Sequence, residues 1–336
     1  MPRLRVVHVV DDTTAGGVMR VLDHLMTAPA LSRGATHSLK VVDRGAIFSG
    51  RIEADLIVSH LAVSWRVLPL LLSLRARHPA ARLVHVEHSY TEAFVATNVI
   101  HTRRFALLLR AAYRLFDRVA AVSHAQGEWL QRSGAVPQSA LTVIQSCVDL
   151  SAFRAIAPPT APVRVFGAIG RLEKQKGFDT LIRAFRMTDR SDISLCIFGE
   201  GAEEASLRAL AEDDARIHFK GFTHDPVAAM ATVDAVAMPS VWEAYGLVAI
   251  EALAAGRRLL VNPVDGLRDH IPNGARAVGN GSVSAWKDAI LDMAEAPSEN
   301  APDNIATSVR PEDNFAARWS DLFLEAALGR KEIAIS

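Results

Sequence analysis

Residues 233–262 constrain the fold of this chain most strongly. The apolar run from Ala235 to Met238 is typical of a buried strand. Residues 246–255 are nearly all apolar and are followed by Gly256, the residue type that most often comes just after a helix end. Leu259 to Val261 then predict a second buried strand. The stretch therefore predicts a βαβ unit, in which a mostly apolar helix joins two parallel strands.

Two glutamates belong to this unit. Glu243 lies in the turn before the helix, and Glu251 lies within the helix among apolar neighbours. A carboxylate in apolar surroundings is costly unless it is hydrogen-bonded or reaches a cleft. A helix N-terminus suits a phosphate, because its first N–H groups have no partner in the helix. The pair could bind a phosphorylated polyol such as a nucleotide sugar, or be a surface glutamate and a structural ion pair. The spacing alone leaves both open.

The rest of the chain repeats the alternation of apolar runs and helical patterns, which predicts an α/β fold with parallel sheets. A Pro/Ala-rich segment at 155–162 interrupts it. We therefore expect two Rossmann-like doubly wound domains, at 1–157 and 158–310, with ligands in a cleft at the carboxyl ends of the strands. A helix at 311–330 is expected to cross back to the first domain. The predicted strands lie near 5–10, 39–43, 56–59, 83–87, 118–123, 142–144, 163–169, 194–198, 217–219, 235–238 and 259–261.

Composition narrows the class of protein. The 336 residues carry 37 basic and 37 acidic side chains, which argues against a nucleic-acid binder. Two cysteines, Cys147 and Cys196, indicate a reducing compartment rather than a disulfide framework. The N-terminus lacks the apolar core of a signal peptide, and no run approaches 18 apolar residues. We expect a cytoplasmic protein.

Two features of the first half are candidate ligand contacts. The loop 11–19 follows a strand and contains Gly16 and Gly17, which would let a ligand approach the backbone closely. His88 comes directly after a strand, where a cleft residue would stand. The alternatives are a glycine turn and a structural histidine, and His85 within the strand is interpreted as structural. The loop does not have the G-x-G-x-x-G pattern of dinucleotide-binding proteins.

Residues 100–118 predict a helix with a basic stripe, because Arg103, Arg110, Arg114 and Arg118 recur at helical spacing. A basic amphipathic helix can lie on an anionic membrane surface. A solvated face on an ordinary domain helix fits the same pattern.

In the second half, a predicted strand ends at Gly170, and Arg171 and Lys176 precede a helix that starts near Phe178. Two cations beside a helix N-terminus are suited to clamp a diphosphate. Taken alone, they could also be ordinary surface charges.

Read together, these segments resemble the retaining GT-B glycosyltransferases, specifically family 4 (glycosyltransferase group 1). The most specific segments are GRLEKQKGFDTLIRAF at 170–185, IFGEGAEEASLRAL at 197–210, IHFKGF at 217–222 and MPSVWEAYGLVAIEALAAG at 238–256. AVSHAQGEWL at 121–130 and VIQSCVDLSAF at 143–153 match weaker signatures. Ser146-Cys147 and Asp265 depart from the family pattern, in which glycine-containing pairs are usual.

The resemblance implies a role for each candidate. Arg171 and Lys176 would hold the donor diphosphate, Glu251 the ribose, and Glu243 the donor sugar. Catalytic positions would be His88, Arg171, Lys176 and Glu243. Donor-binding positions would be Gly16, Gly17, Gly170, Ala244, Tyr245, Gly246, Leu247 and Glu251, with no metal ligand.

The implied activity is metal-independent transfer of a hexose-type sugar, with retention, from a nucleotide diphosphate sugar. No cofactor is implied besides this co-substrate, for which a UDP- or GDP-sugar is favoured. The acceptor would be a glycan or a lipid-linked hydroxyl, as in polysaccharide or lipopolysaccharide assembly. A nucleotide-sugar 2-epimerase and a catalytically silent nucleotide- or glycan-binding relative remain alternatives, and a dinucleotide oxidoreductase is a weaker one.

Overall fold

The computed structural model describes residues 3–296 and 310–335, with side chains to residue 328. The chain forms two compact units. The first comprises residues 1–148 and 309–336, and the second comprises residues 149–308. Each contains one six-stranded sheet of parallel strands, so the predicted α/β class with two Rossmann-like domains is confirmed. The first unit ends nine residues before the predicted boundary at 157.

The sheet of the first unit has the order β2-β1-β3-β4-β5-β6. Its strands are β1 (Leu4–Val10), β2 (Ala35–Val41), β3 (Leu56–Ser59), β4 (Arg82–Glu87), β5 (Arg118–Ala121) and β6 (Leu141–Val143). The helices between them are α1 (Gly17–Thr27), α2 (Pro29–Ser32), α3 (Leu68–Arg77), α4 (Glu92–Asn98), α5 (Thr102–Tyr113) and α6 (His124–Arg132). A 3₁₀ turn spans Gln138–Ala140.

The second sheet has the order β12-β11-β10-β7-β8-β9. Its strands are β7 (Val165–Ile169), β8 (Ser194–Phe198), β9 (Ile217–Gly221), β10 (Ala235–Met238), β11 (Arg258–Val261) and β12 (Arg276–Ala277). The helices are α7 (Ser151–Arg154), α8 (Phe178–Arg186), α9 (Glu204–Ala211), α10 (Pro226–Ala231), α11 (Leu247–Ala254) and α12 (Val283–Glu295), and α13 (Pro311–Ile335) ends the chain. Two 3₁₀ segments span Lys174–Lys176 and Asp265–Asn273.

The order of the second sheet indicates where a ligand site is expected. The chain winds outward from β7 through β8 to β9, and then returns to the other side of β7 with β10. Crevices form where the winding direction reverses, just beyond the carboxyl ends of the two central strands. A ligand of this unit is therefore expected to contact the loops that follow β7 and β10.

Helix α13 packs on the first unit. Phe315 lies against His24, with ring centroids 5.5 Å apart, and Phe323 lies 5.6 Å from His37. Glu325 pairs with Arg118, at 3.0 Å between Oε2 and Nε. These contacts bury one face of a helix that is distant in sequence from the strands it covers.

The structure corrects the predicted basic helix at 100–118. Helix α5 ends at Tyr113, and Arg118 belongs to β5, where it pairs with Glu325. Arg110 donates to the backbone carbonyl groups of Ser133 and Gly134. The predicted four-arginine stripe is wrong, because the helical spacing continued past the helix end. Within the described residues, no helix is both long enough and apolar enough to cross a membrane.

Candidate active site

Two glycines allow the loop after β7 to lie close to the end of β10. Gly170 has φ +154° and Gly177 has φ +63°, backbone conformations that L side chains rarely adopt. A Cβ on Gly177 would lie 2.3 Å from the carbonyl oxygen of Pro239, which directly follows β10. This close approach brings the segment that carries Arg171 and Lys176 beside the turn that carries Glu243.

Lys176 and Glu243 form an ion pair at this point. Nζ of Lys176 lies 2.5 Å from Oε2 of Glu243, and the two side chains are 16% and 12% exposed. The hydroxyl of Ser240 donates to the same carboxylate oxygen at 3.3 Å. Two sequence-predicted residues, 67 positions apart, are thus in direct contact. Arg171 lies in the same loop and is exposed.

The turn that carries Glu243 is held from both sides. Val241 N–H donates to the carbonyl oxygen of Gln175 at 2.8 Å, and the Gln175 amide donates to the carbonyl oxygen of Trp242 at 3.1 Å. On the other side, Gly266 N–H donates to the carbonyl oxygen of Glu243 at 2.9 Å. The backbone of Glu243 is therefore fixed independently of its ion pair.

Asp265, one of the departures from the family pattern, takes part in this support. Its Oδ2 accepts from the backbone N–H of Glu243 at 3.3 Å, and its φ is +41°. The side chain is buried. The Asp265 carboxylate thus contacts the backbone of a predicted ligand residue.

Helix α11 begins directly after this turn, and Gly246 at its N-terminus has φ +91°. No side chain caps the helix there. A Cβ on Gly246 would lie 3.4 Å from Cγ of Glu243, so the start of the helix is beside that side chain. Glu251 lies further along α11 and is only 1% exposed. Its burial fits a carboxylate with a specific role in the unit, since an unpaired charge would be costly there.

Tyr245 differs from its neighbours. Its side chain is buried, and its ring lies 4.7 Å from that of His270. Nε2 of His270 donates to the carbonyl oxygen of Tyr245 at 2.8 Å, and burial lowers the pKa of His270. His270 was not anticipated from the sequence, because nothing in the sequence indicates which backbone group a lone histidine meets.

In the first unit, Gly16 precedes α1 and Gly17 opens it. Gly16 has an extended φ of −172°, which any residue adopts. A Cβ at Gly16 would meet only the carbonyl oxygen of Thr14, at 3.8 Å. The protein's own packing therefore does not require glycine at position 16.

His88 follows β4 and is partly buried, and its Nε2 lies 2.9 Å from Nδ1 of His60. Burial lowers the pKa of His88 to about 4, so the ring is neutral at pH 7. The turn around it is held by Glu87, which accepts from the backbone N–H groups of Ser89 and Tyr90 at 2.7 and 2.9 Å. His60 was not anticipated, because only the folded sheet brings it beside His88. Glu87 directly precedes His88, but nothing in the sequence indicated that its carboxylate accepts hydrogen bonds from the turn.

Glu87 is buried but charged. Burial on its own would raise its pKa, yet hydrogen bonds from His85 and Tyr113 outweigh burial and hold the pKa below its usual value. Tyr113 Oη donates to Oε2 of Glu87 at 2.6 Å, and Nε2 of His85 lies 3.4 Å from the same oxygen. His85 is buried, consistent with the structural role interpreted from the sequence.

Comparison with known proteins decides the family. The sequence model described as glycosyltransferase family 4 matches residues 20–152, and the model described as glycosyl transferases group 1 matches residues 153–309. The two matches are consecutive and together include all the predicted site residues except Gly16 and Gly17.

The chain belongs to glycosyltransferase family 4. The resemblance inferred from the motifs is thus confirmed.

Individual relatives match over shorter stretches. A glycogen synthase of Mycobacterium tuberculosis is 34% identical over 212 residues, which are 57% of this chain and 50% of that protein. The D-inositol 3-phosphate glycosyltransferase of Pseudarthrobacter chlorophenolicus is 29% identical over 170 residues, 47% of this chain and 40% of that protein. The aligned regions thus span half or less of these curated relatives.

Solved structures agree on the fold. Sucrose-phosphate synthase from Thermosynechococcus elongatus superposes with a TM-score of 0.73 at 18% identity, covering 99% of this chain and 100% of that one. HepE of Anabaena, solved with UDP and glucose, gives 0.66 at 16% identity, covering 99% and 98%. At such low identity these matches show the two-domain GT-B fold alone.

Proposed function

We propose that this family 4 enzyme transfers a hexose-type sugar from a nucleotide diphosphate sugar to a hydroxyl of a glycan or lipid-linked acceptor, with retention. The observation that carries the proposal is the contact between Lys176 and Glu243 at the reversal point of the second sheet. A cation, a carboxylate and a helix N-terminus meet there, and Arg171 lies in the same loop.

The chemistry assigned to these groups follows from charge. Cleavage of the bond between sugar and diphosphate leaves negative charge on the phosphate oxygens, which Arg171, Lys176 and the first N–H groups of α11 are suited to stabilise. Glu243 would accept hydrogen bonds from donor sugar hydroxyls, and Glu251 from the ribose. The resemblance adds Gly16, Gly17 and His88 of the first unit to the donor contacts.

A UDP-sugar is the preferred donor in this proposal, and a GDP-sugar is second. Structures similar to this chain were solved with UDP: HepE of Anabaena with UDP-glucose, and Staphylococcus aureus TarM with UDP. Setting the acceptor in polysaccharide or lipopolysaccharide assembly rests on the resemblance.

A thermal-shift panel of UDP, GDP, ADP and their sugars tests the donor. A ligand that binds only the folded protein raises the apparent melting temperature, by an amount that grows with its concentration relative to Kd. We expect one nucleoside diphosphate to stabilise the protein. No shift with any of them, at millimolar concentration, would contradict the assignment.

Two alternatives predict different outcomes in a product assay. A 2-epimerase would convert the nucleotide sugar with no acceptor present, whereas a transferase needs an acceptor to form a new glycosidic bond. A silent binding relative would show a thermal shift but no turnover under either condition. Incubating the stabilising donor with and without acceptor glycans, and analysing the products by mass spectrometry, separates the three.

We also propose that the surface around α5 contacts an anionic membrane. Ile100 is 91% exposed and Leu107 is 61% exposed, an unusual state for large apolar side chains on a surface that also carries Arg103 and Arg104. Arg104 lies over the exposed ring of Trp65, 5.9 Å from its centroid. Exposed apolar side chains flanked by arginines suit the interface of an anionic bilayer.

Liposome flotation tests this contact. We expect the protein to float with vesicles that contain anionic lipid at low salt, and the double variant Arg103→Glu/Arg104→Glu to remain in the bottom fraction. Arg183→Glu, an exposed arginine on α8, is the matched control and should float like wild type. Equal recovery of wild type with neutral and anionic vesicles would refute the electrostatic part of the proposal.

A further inference from the structure

Four histidines of the first unit form a continuous chain of imidazole rings. Nδ1 of His37 lies 3.1 Å from Nε2 of His8, Nδ1 of His8 lies 3.0 Å from Nε2 of His60, and Nδ1 of His60 lies 2.9 Å from Nε2 of His88. Each distance is that of a hydrogen bond between ring nitrogens. The chain ends at His88, the residue that the proposed function places beside the donor.

The strand order of the sheet brings the four histidines together. His37 lies in β2 and His8 in β1, while His60 and His88 directly follow β3 and β4. These four strands are consecutive neighbours in the sheet. One histidine per strand therefore forms a row across the sheet toward the carboxyl ends of β3 and β4.

All four rings are neutral at pH 7. Burial lowers the pKa of His8 to about 3 and that of His88 to about 4. The pKa values of His60 and His37 are lowered too, chiefly by burial. A neutral imidazole has one N–H and one bare nitrogen, so each ring inside the chain donates on one side and accepts on the other.

Counting protons leaves two polarities. In the first, every ring carries its proton on Nδ1, so that His37 donates to His8, His8 to His60 and His60 to His88. In the second, every proton is on Nε2 and all three bonds point the other way. One N–H is left over at one end of the chain: at His88 in the first polarity, and at His37 in the second.

The surroundings of His37 select the first polarity. Nε2 of His37 is buried and has no hydrogen-bond partner among the described residues. Besides His8, its ring neighbour is Phe323, which offers no nitrogen or oxygen as an acceptor. A buried N–H without a partner is rarer in proteins than an unsatisfied acceptor. The spare proton therefore belongs at the other end, on Nδ1 of His88.

We propose that the His37–His8–His60 chain holds His88 in the Nδ1–H tautomer, so that His88 donates a hydrogen bond to an oxygen of the bound substrate and does not act as a base. The substrate contact rests on the proposed function, whereas the tautomer does not. In this account His8, His37 and His60 are positioning residues, because they act through His88. The oxygen would be a sugar hydroxyl or a phosphate oxygen.

The wild-type protein contains its own reference rings. Nδ1 of His78 lies 2.7 Å from the carbonyl oxygen of Leu74, and Nε2 of His78 accepts from Ile52 N–H, so His78 is an Nδ1–H ring. His270 donates to a carbonyl group through Nε2 and is an Nε2–H ring. A tautomer assignment for His88 can thus be read against one example of each kind in the same spectrum.

The test is ¹⁵N NMR of ligand-free protein labelled at the histidine rings. We expect His88 to show the pattern of His78, together with nitrogen–nitrogen couplings across the His60–His88 and His8–His60 hydrogen bonds. A His88 pattern like that of His270, or the absence of these couplings while His78 and His270 are resolved, would overturn the proposal. No substrate is needed, so the result is independent of whether the donor assignment is correct.

A variant tests the coupling. His60→Phe keeps a ring in place but removes both hydrogen bonds, and we expect His88 then to exchange between tautomers while His78 and His270 stay unchanged. If the donor panel has identified a substrate, kcat/KM should fall about tenfold, the effect of one weakened hydrogen bond. An unchanged His88 tautomer in folded His60→Phe would contradict the positioning role, even if turnover fell.

Discussion

At the scale of single residues, the pair formed by Lys176 and Glu243 is the main support for the proposed ligand site. Exposed ion pairs contribute little to stability, with a median of about 0–1 kcal/mol. This pair is largely covered and lies at the reversal point of the sheet, and its carboxylate side chain is next to Gly246 at the uncapped start of α11. These features support the proposal that the two residues contact the diphosphate and the sugar of the donor.

Removing the cation should affect turnover far more than stability. We expect Lys176→Ala to lower kcat by roughly 10²–10³-fold, the usual cost of losing one group that stabilises transition-state charge. Lys174→Ala is the matched control, since Lys174 lies two positions earlier and is exposed. Steady-state kinetics with the donor identified by the thermal-shift panel measure kcat for both variants. Equal kcat values would refute the role of Lys176.

At the scale of elements, the turn that carries Glu243 depends on a close backbone approach. A Cβ on Gly266 would lie 2.1 Å from the carbonyl oxygen of Ala244, whereas a Cβ on Gly279 would meet no atom closer than 3.6 Å. We expect Gly266→Ala to destabilise the protein by about 1–3 kcal/mol, as overpacking does. Gly279→Ala should stay within about 0.5 kcal/mol. Urea unfolding measures both, and equal midpoints would contradict the packing account.

Helix α13 allows a second comparison, between a buried side chain and its exposed neighbour in the sequence. Phe323 is buried against His37, and Leu324 beside it is 60% exposed. We expect Phe323→Ala to lower the free energy of unfolding by about 3–5 kcal/mol, the usual range for a buried phenylalanine. Leu324→Ala should cost less than about 1 kcal/mol. If thermal unfolding of the two variants coincided, the packing of α13 on the first unit would be wrong.

The elements also show what sequence patterns can predict. Buried strands such as β3, β8 and β10 were predicted with their observed bounds, because a short apolar run is typical of a buried strand. Strand β2 begins at Ala35 rather than near Leu39, since an edge strand with mostly exposed side chains carries no apolar signal. Strand β12, two exposed residues long, was missed for the same reason.

The sequence likewise predicted one part of the candidate site and not another. Arg171, Lys176 and Glu243 were predicted because each follows a recognisable strand. The histidine chain was not, because His8, His37 and His60 meet only through the order of β2, β1, β3 and β4 in the sheet. Spacing along the sequence carries no record of that order.

At the scale of the whole molecule, the buried histidines predict how stability depends on pH. The folded pKa of His8 is about 3 and that of His88 about 4, below the unfolded value of about 6.5. Below pH 6.5 the unfolded chain binds more protons, so the free energy of unfolding falls as the pH falls. For His88 the loss extends from pH 6.5 to about pH 4, and for His8 to about pH 3.

The slope can be measured by urea unfolding between pH 7 and pH 5. Each histidine that stays neutral in the folded state contributes up to about 1.4 kcal/mol per pH unit well below its unfolded pKa. We expect His8→Gln, if folded, to show a shallower slope than wild type, and His101→Gln, on an exposed ring, to match wild type. A slope unchanged by His8→Gln would mean that His8 is not held neutral.

Calorimetric titration of UDP into the protein tests the central claim most directly, namely that the second unit binds a nucleoside diphosphate through Lys176 and Glu251. The account predicts saturable binding to wild type, the same affinity for Lys174→Ala, and at least about tenfold weaker binding for Lys176→Ala and Glu251→Ala, as expected for the loss of a hydrogen bond to a charged group. Equal affinity in all four proteins would contradict it. So would the absence of binding by UDP, GDP and ADP to the wild type.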